Sequence, residues 1–207
     1  MVQTPMEPSA NLERQEVIDW LIAHNYPALP VAPAQEAWKH YKLVQANPKE
    51  GVGSYCPLTI DLQPIPLYTG KNPSYLDSEG FPHLVNHRRY QNRLPTKREL
   101  EAWFANPANG IGTLGGWNNT VWLDFDVKQF SSQEECDAAA INILERVQPY
   151  CDTPQEQTFI ECTHSGGWRI GVKVKQKPVF TNFSLTPGGS HVGEALVEGR
   201  FTVLAPT

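Results

Sequence analysis

The chain has 207 residues, and its 17 Lys and Arg against 22 Asp and Glu give a formal net charge of −5. An acidic chain is not a generic nucleic-acid coat, because such coats bind phosphate backbones through an excess of positive charge. A hydrophobic fraction of 40% is enough to bury a core and excludes a disordered or collagen-like chain.

No apolar run approaches the roughly 18 residues that a membrane-spanning helix needs, and the start of the chain lacks a secretory signal. The sequence therefore predicts a cytoplasmic protein that does not bind membranes, with a disordered tail at residues 1–10. The four cysteines lie far apart without a Cys-x-x-Cys pair, which favours buried free thiols over a disulfide scaffold or a zinc knuckle.

The first half of the chain predicts short helices separated by loops. Helical spacing of apolar residues indicates a helix over residues 11–25. The proline-broken segment 26–33 predicts a short edge strand and turn, and a second helical piece is expected near residues 36–45. Residues 48–82 leave room only for loops and short strands, because prolines and glycines interrupt them. Residues 96–105 begin with a capping-box pattern and predict a helix.

The second half predicts a sheet with one helix. A glycine-rich approach over residues 110–116 leads through a turn into a β-rich run, Thr120 to Asp126, and a second capping box at residues 132–135 opens a helix that continues to Val147. Further strands are expected at about residues 158–162, 168–174, 192–197 and 200–205. This order predicts the α+β class, with a helix resting on one face of a mostly antiparallel sheet.

The β-rich run carries two carboxylates on one face. Side chains alternate along a strand, so Asp124 and Asp126 point to the same side, about 7 Å apart at the backbone. Two like charges this close are unfavourable unless a cation neutralises them, and Mg²⁺ or Mn²⁺ suits oxygen ligands best. Glu194 could supply a third carboxylate. A strand end that simply reaches solvent explains the same pattern and stays open.

Two other features could bind phosphate or nucleic acid. Residues 163–170 read Thr-His-Ser-Gly-Gly-Trp-Arg-Ile, which has the composition of a phosphate cradle and equally of an ordinary hairpin turn. Residues 87–98 hold five of the seventeen Lys and Arg, so they could form a landing patch for a polynucleotide or merely a solvated helix face.

Taken together and in this order, these segments resemble the bifunctional DNA primase/polymerase domain, the prim-pol branch of the archaeo-eukaryotic primase superfamily. Residues 26–31, 70–73 and 103–116 resemble the family's opening segment, its Lys-x-Pro loop and the approach to its first carboxylate motif. Asp124-Phe125-Asp126 matches that metal-binding motif, residues 165–169 match the second motif, and Glu194 with residues 199–206 resembles the third. One departure is Arg169, which stands where the family usually carries a histidine.

The resemblance implies one prim-pol catalytic domain with a primase-like core. An N-terminal α/β lobe, at about residues 11–116, would pack on an RRM-like antiparallel sheet lobe, at about residues 117–207. The active site would lie in the cleft between the lobes. The chain would be the excised core of a larger replication protein, for example of a plasmid or mobile element, with a helicase domain as a possible C-terminal partner.

The activity implied by the resemblance is template-directed transfer of nucleotides from dNTPs or NTPs to a 3′-hydroxyl in DNA replication. The implied metal ligands and catalytic residues are Asp124, Asp126 and Glu194, holding Mg²⁺ or Mn²⁺. The implied nucleotide-binding residues are Ser165, Gly166, Gly167, Arg169, His164, Lys71 and Arg200. The implied DNA-binding residues are Arg88, Arg89 and Arg93, with bases stacked on aromatic residues such as Trp117 or Tyr90.

Two alternatives from other classes remain at this point. A catalytically inactive initiator module would bind nucleotide or DNA without incorporating label. A metal-dependent glycosyltransferase that uses Asp-x-Asp would need a nucleotide sugar and would ignore a primed template.

Overall fold

The structure is a computed structural model of the chain, and it describes residues 10–34, 70–147, 149, 159–163, 165–175 and 181–205. The predicted helix near residues 36–45, residues 1–9 of the predicted tail and residues 48–69 of the predicted loop region lie outside these residues. The described residues form a mixed α+β fold with antiparallel sheets, which confirms the predicted class. No helix among them is long and apolar enough to cross a membrane.

Three α-helices and ten strands are present in the described part of the chain. The helices are α1 (Ala10–Ala23), α2 (Lys97–Phe104) and α3 (Gln133–Val147). The strands are β1 (Leu29–Val31), β2 (Ser74–Leu76), β3 (Pro82–Leu84), β4 (Gly110–Leu114), β5 (Thr120–Phe125), β6 (Phe159–Cys162), β7 (Trp168–Lys173), β8 (Thr181–Phe183), β9 (Gly193–Leu196) and β10 (Phe201–Leu204). The helices and strands predicted within these residues are present, with ends shifted by a few residues at most.

A five-stranded antiparallel sheet has the strand order β6-β7-β5-β9-β8. Because side chains alternate along β5, Val121, Leu123 and Phe125 point to one face, where they pack against Cys136 and Ala140 of α3. The prediction of a helix on one face of an antiparallel sheet is therefore confirmed. Strand β8, at one edge, was not predicted.

A three-stranded antiparallel sheet, in the order β1-β4-β10, lies over part of the other face of the large sheet. Ile111 of β4 and Leu204 of β10 pack with Trp122 of β5 and Leu196 of β9, and Leu21 of α1 joins the same buried cluster. The first sheet and α1 thus bury the Trp122 part of that face. The remainder of the face holds the polar residues described below.

The last strand differs from the sequence expectation. We expected β10 to follow β9 through a turn in the second lobe, but β10 pairs with β4 in the sheet formed by the first part of the chain. Glycine makes this pairing possible, because a Cβ at Gly112 would lie 2.2 Å from the ring of Phe201. At Gly115 a Cβ would lie 2.4 Å from the carbonyl oxygen of Leu196. Strands from the described residues of both expected lobes therefore form one sheet.

Both predicted capping boxes begin helices. Thr96 Oγ1 accepts a hydrogen bond from the backbone N–H of Glu99, and the Glu99 carboxylate accepts one from the backbone N–H of Thr96. At α3, Ser132 Oγ accepts from the backbone N–H of Glu135, whose side chain accepts from Ser131 rather than from Ser132. Each helix start therefore has partners for backbone donors that would otherwise be unsatisfied.

The predicted burial of free thiols is right for one described cysteine and wrong for the other. Cys136 is a buried free cysteine beneath the sheet, and its burial raises the pKa of its thiol. Cys162 is also free but exposed. It is the last residue of β6, an edge strand of the large sheet, and so lacks a neighbouring strand on one side.

Candidate active site

Strand register aligns one charged residue from each of four neighbouring strands in a row across the large sheet. Glu161 of β6 lies opposite Arg169 of β7, Arg169 opposite Asp124 of β5, and Asp124 opposite Glu194 of β9. Directly opposite residues have Cβ atoms about 4.5–5.5 Å apart. The fold therefore brings Asp124 and Glu194, two of the three predicted metal ligands, side by side.

This row lies where the polar part of the sheet face begins. Trp122, two residues before Asp124 on the same face, is buried under the first sheet, and it pairs with Leu196, two residues after Glu194. Asp124 is half-buried and Glu194 is exposed. On this face of the two strands, the buried apolar pair of Trp122 and Leu196 is thus followed directly by the pair of Asp124 and Glu194, whose carboxylates are accessible to solvent.

Asp126, the third predicted ligand, follows β5 directly and begins a 3-10 helix at Val127–Gln129. Its Oδ1 accepts a hydrogen bond from the backbone N–H of Lys128, and its Oδ2 contacts the Lys128 ammonium group. The Asp126 hydrogen bond and charge, followed by the charges of Glu194 and Asp124, raise the pKa of Lys128. Lys128 is therefore a cation drawn to all three carboxylates, and the sequence analysis did not single it out.

Within the described part of the chain, no three His, Cys, Asp or Glu side chains are arranged to hold a metal ion. Asp124 Oδ1 accepts a hydrogen bond of 3.1 Å from Arg169 Nη2, while Asp126 contacts Lys128. The predicted ligands Asp124 and Glu194 are thus close at the backbone. The carboxylates of Asp124 and Asp126, however, contact cationic side chains of the protein in this arrangement.

Arg169 lies inside this network rather than extending into solvent. Its side chain is 14% exposed, and Nη1 donates to Glu161 Oε1 at 2.8 Å and to the carbonyl oxygen of Val203. A phosphate contact by Arg169 would compete with these partners. The predicted role of Arg169 in nucleotide binding therefore stays a prediction, while its observed contacts are internal.

The sequence analysis missed Glu161. Its side chain is 8% exposed, and its Oε2 accepts a hydrogen bond of 2.8 Å from the backbone N–H of Ala205. Burial raises the pKa of Glu161, and the positive charge of Arg169 opposes that effect. A signal was present, because Glu161 is the one charged residue in the strand Phe159-Ile160-Glu161-Cys162. Its partner depends on strand register, which the sequence alone does not show.

The predicted phosphate cradle forms the hairpin turn between β6 and β7. Gly166 has φ +85° and donates its N–H to the carbonyl oxygen of Thr163 at 2.8 Å, while Gln133 of α3 donates to the Gly166 carbonyl. A Cβ at Gly167 would lie 2.0 Å from the carbonyl oxygen of Phe125. The hairpin interpretation thus accounts for both glycines, and phosphate binding remains a prediction. Ser165 is exposed in this turn.

The remaining predicted nucleotide contacts are dispersed or outside the described residues. Lys71 is exposed in the loop before β2. Arg200 is exposed just before β10, beyond the end of β9 that is farther from Glu194. His164 lies outside the described residues. The structure therefore aligns Arg169 with the carboxylates and leaves these three contacts as predictions.

The predicted DNA-binding arginines differ in their surroundings. Arg88 and Arg89 are exposed on a 3-10 helix, His87–Gln91. Arg93 instead makes two hydrogen bonds to Glu99, of 2.6 and 2.8 Å, and lies 4.5 Å from the centre of the Tyr90 ring.

Of the two aromatic residues expected to stack on bases, neither is freely exposed. The expectation is wrong for Tyr90, which is 4% exposed and donates its hydroxyl to Glu99. Trp117 is half-buried and donates its indole N–H to the carbonyl oxygen of Asn25. Counting charged and aromatic residues along the chain could not show these internal partners.

No protein-family model matches the chain, and no curated protein is significantly similar to it. The resemblance to the primase/polymerase family accordingly rests on the motifs of the sequence.

Proposed function

We propose that the chain is the catalytic core of a DNA primase/polymerase with a primase-like core fold. The observation that carries the proposal is the direct pairing of Asp124 with Glu194 across β5 and β9. These residues lie 70 positions apart in the sequence, and with Asp126 they are the three carboxylates that the family resemblance assigns to catalysis. Pairing of distant residues of the assigned type supports the motif assignment more strongly than the motifs alone do.

The donor set suits Mg²⁺ or Mn²⁺. Three carboxylates would supply the hard oxygen ligands that these ions prefer, and the contact of the Lys128 ammonium group with Asp126 supports a site for positive charge. A bound ion would lower the pKa of the attacking 3′-hydroxyl and neutralise charge on the triphosphate. Asp124, Asp126 and Glu194 would hold it, and Lys128 would have to give up its contact with Asp126.

The protein's own positive charges would position the substrates. Ser165 and the Gly166-Gly167 turn precede Arg169 on the hairpin beside Asp124, so this hairpin is the proposed contact for the triphosphate of a dNTP or NTP. Exposed Arg88 and Arg89 are the proposed contacts for the DNA template or primer.

A second candidate is a nucleotide- or DNA-binding initiator module without catalytic activity. The observation in its favour is that Arg169 already donates a hydrogen bond to Asp124 and that Lys128 contacts Asp126. A site of this kind could bind an anionic ligand without activating a hydroxyl. Activity therefore distinguishes the two candidates.

The test is primer extension on a DNA template with labelled dNTPs or NTPs, in Mg²⁺ or Mn²⁺. We expect the wild type to incorporate label and each of Asp124→Asn, Asp126→Asn and Glu194→Gln to lose at least about 100-fold in rate, because each weakens binding of the metal ion whose positive charge the transition state needs. Glu79→Gln, which changes an exposed carboxylate on the β2–β3 turn, is the matched control.

Two results would contradict this proposal. Full activity in the three carboxylate variants, with thermal melting showing that they are folded, would exclude the assigned residues. DNA binding by the wild type without any incorporation would favour the initiator module.

A further inference from the structure

The proposed chemistry does not use the buried contact between Glu161 and Arg169. Both side chains are largely removed from solvent, and Arg169 Nη1 donates to Glu161 at 2.8 Å. Burying an ion pair costs the free energy of removing both charges from water, and the attraction between the two charges must offset this cost. A buried ion pair is therefore weak evidence that its role is only to stabilise the fold. Arg169 also donates to Asp124, which connects the pair directly to the candidate site.

The two carboxylates hold the Arg169 guanidinium unequally. The hydrogen bond to Glu161 is 2.8 Å, while the bond to Asp124 is 3.1 Å. Glu161 is also the more buried of the two, and charges attract more strongly where water is excluded. The Arg169 guanidinium is therefore held chiefly by Glu161, and its contact with Asp124 is the weaker of the two.

Loss of the Glu161 charge would change this balance. The guanidinium would then have Asp124 as its only carboxylate partner in the row, because strand register places no other acidic residue directly opposite Arg169. A closer contact between Arg169 and Asp124 would reduce the charge that Asp124 can offer to a metal ion. Replacing a residue that holds a metal ligand in place commonly lowers metal affinity by about 10- to 100-fold.

We propose that Glu161 is a positioning residue for the candidate metal site: it holds Arg169 against the sheet, so that the guanidinium does not neutralise Asp124. This inference rests on the proposed function, because it assumes that Asp124 binds a divalent ion. Glu161 acts through Arg169 and does not itself touch the ion or the nucleotide.

The experiment measures Mn²⁺ binding by electron paramagnetic resonance, without DNA or nucleotide, on wild type, Glu161→Gln and the double variant Glu161→Gln with Arg169→Gln. The single variant should bind Mn²⁺ about 10-fold more weakly, because Arg169 shifts its charge to Asp124. The double variant removes both charges, so Asp124 should recover affinity to within about three-fold of the wild type. Thermal melting of the same samples reports the stability of each.

The recovery separates positioning from a structural role. Glu161 also accepts from Ala205, so its replacement will lower the melting temperature in either case. A role limited to the fold would leave the Mn²⁺ affinity of folded Glu161→Gln equal to that of the wild type, and this result would overturn the inference. If the single variant does not fold, the double variant provides the test, because it contains no unpaired buried charge. A loss of about 10-fold or more in the Mn²⁺ affinity of the double variant would then overturn the inference.

The outcome also distinguishes this inference from the proposed function. A wild type that binds no Mn²⁺ would overturn this inference, while the primer-extension assay would still decide the proposed function. Binding by the wild type with an unchanged Glu161→Gln affinity would overturn the positioning role alone.

Discussion

Glu99→Gln tests how the structure stabilises the start of α2. The Glu99 carboxylate accepts hydrogen bonds from the Tyr90 hydroxyl at 2.7 Å, from the Thr96 backbone N–H at 2.7 Å and from the Thr96 hydroxyl at 2.9 Å. It also accepts two hydrogen bonds from Arg93. A glutamine side chain has one acceptor oxygen and an NH₂ group, so it can satisfy only part of this set.

The expected loss in the free energy of unfolding is about 2 kcal/mol at pH 7. A helix cap contributes about 0.5–2 kcal/mol, and a hydrogen bond to a charged group contributes about 1.5–3 kcal/mol. The lower part of the combined range applies here, because the Glu99 side chain is 27% exposed. We give the Arg93 pair a minor share, since exposed ion pairs contribute little.

The effect should depend on pH in a defined direction. Hydrogen bonds from Arg93 are the largest cause that lowers the pKa of Glu99 in the folded protein, and the bond from the Thr96 backbone adds to them. A lowered folded pKa means that the stabilisation is present above the unfolded pKa, near 4.5, and is lost as the pH falls toward the folded value. The difference between wild type and Glu99→Gln should therefore be constant from pH 7 to about 5 and shrink below about 4.5.

Urea unfolding followed by tryptophan fluorescence measures this difference at each pH. The matched control is Glu101→Gln on the same helix. Among the ion pairs of the described residues, Glu101 forms one, with the exposed Lys97 at 3.8 Å. Its replacement should therefore change the free energy of unfolding very little. The reasoning is refuted if Glu99→Gln loses no more stability than Glu101→Gln, or if the gap widens as the pH falls.

Two further predictions concern packing and DNA binding. Gly171→Ala should lower the free energy of unfolding by about 2 kcal/mol, because the new Cβ would lie 2.8 Å from the buried Trp122 ring; unchanged urea unfolding would show that the ring yields without cost. Replacing Arg88 and Arg89 with Gln should reduce the slope of log affinity for duplex DNA against log salt by about 1.8, at about 0.9 per phosphate contact. Arg93 contacts Glu99, so the Arg93→Gln variant should leave that slope nearly unchanged. An equal change of slope in Arg93→Gln and in the Arg88 and Arg89 double variant would contradict the proposed role of Arg88 and Arg89 in DNA binding.

The sequence alone predicts correctly those elements that depend on interactions between residues close together in the chain. The capping boxes at Thr96 and Ser132 mark the starts of α2 and α3, because the bonds that form them join residues at most four positions apart. Strand β10 was located correctly, but its sheet was not, since an alternating strand has the same pattern in either sheet. The space that Gly112 provides for Phe201 is a tertiary contact and leaves no local signal.

The candidate site divides in the same way. Alternation and the family motifs predict Asp124, Asp126 and Glu194 as metal ligands, and this role stays a prediction; the structure places Asp124 opposite Glu194. The role of Glu161 as a partner of Arg169 depends on the register between β6 and β7, and no pattern within either strand reports it. Similarly, Lys128 was overlooked because a lysine just after a strand looks like an ordinary exposed residue until its neighbours are known.

The pairing of β10 with β4 also constrains how the chain can fold during synthesis. Strand β10, which pairs with β4, is translated about 90 residues after it. The edge of β4 that pairs with β10 is therefore unpaired in the nascent chain while the strands of the large sheet are synthesised. An unpaired edge is a template for association with other chains. Pairings between such distant segments also form slowly, because a long loop must be closed first. We therefore expect a ribosome-bound chain that ends before Phe201 to be the species most prone to aggregation.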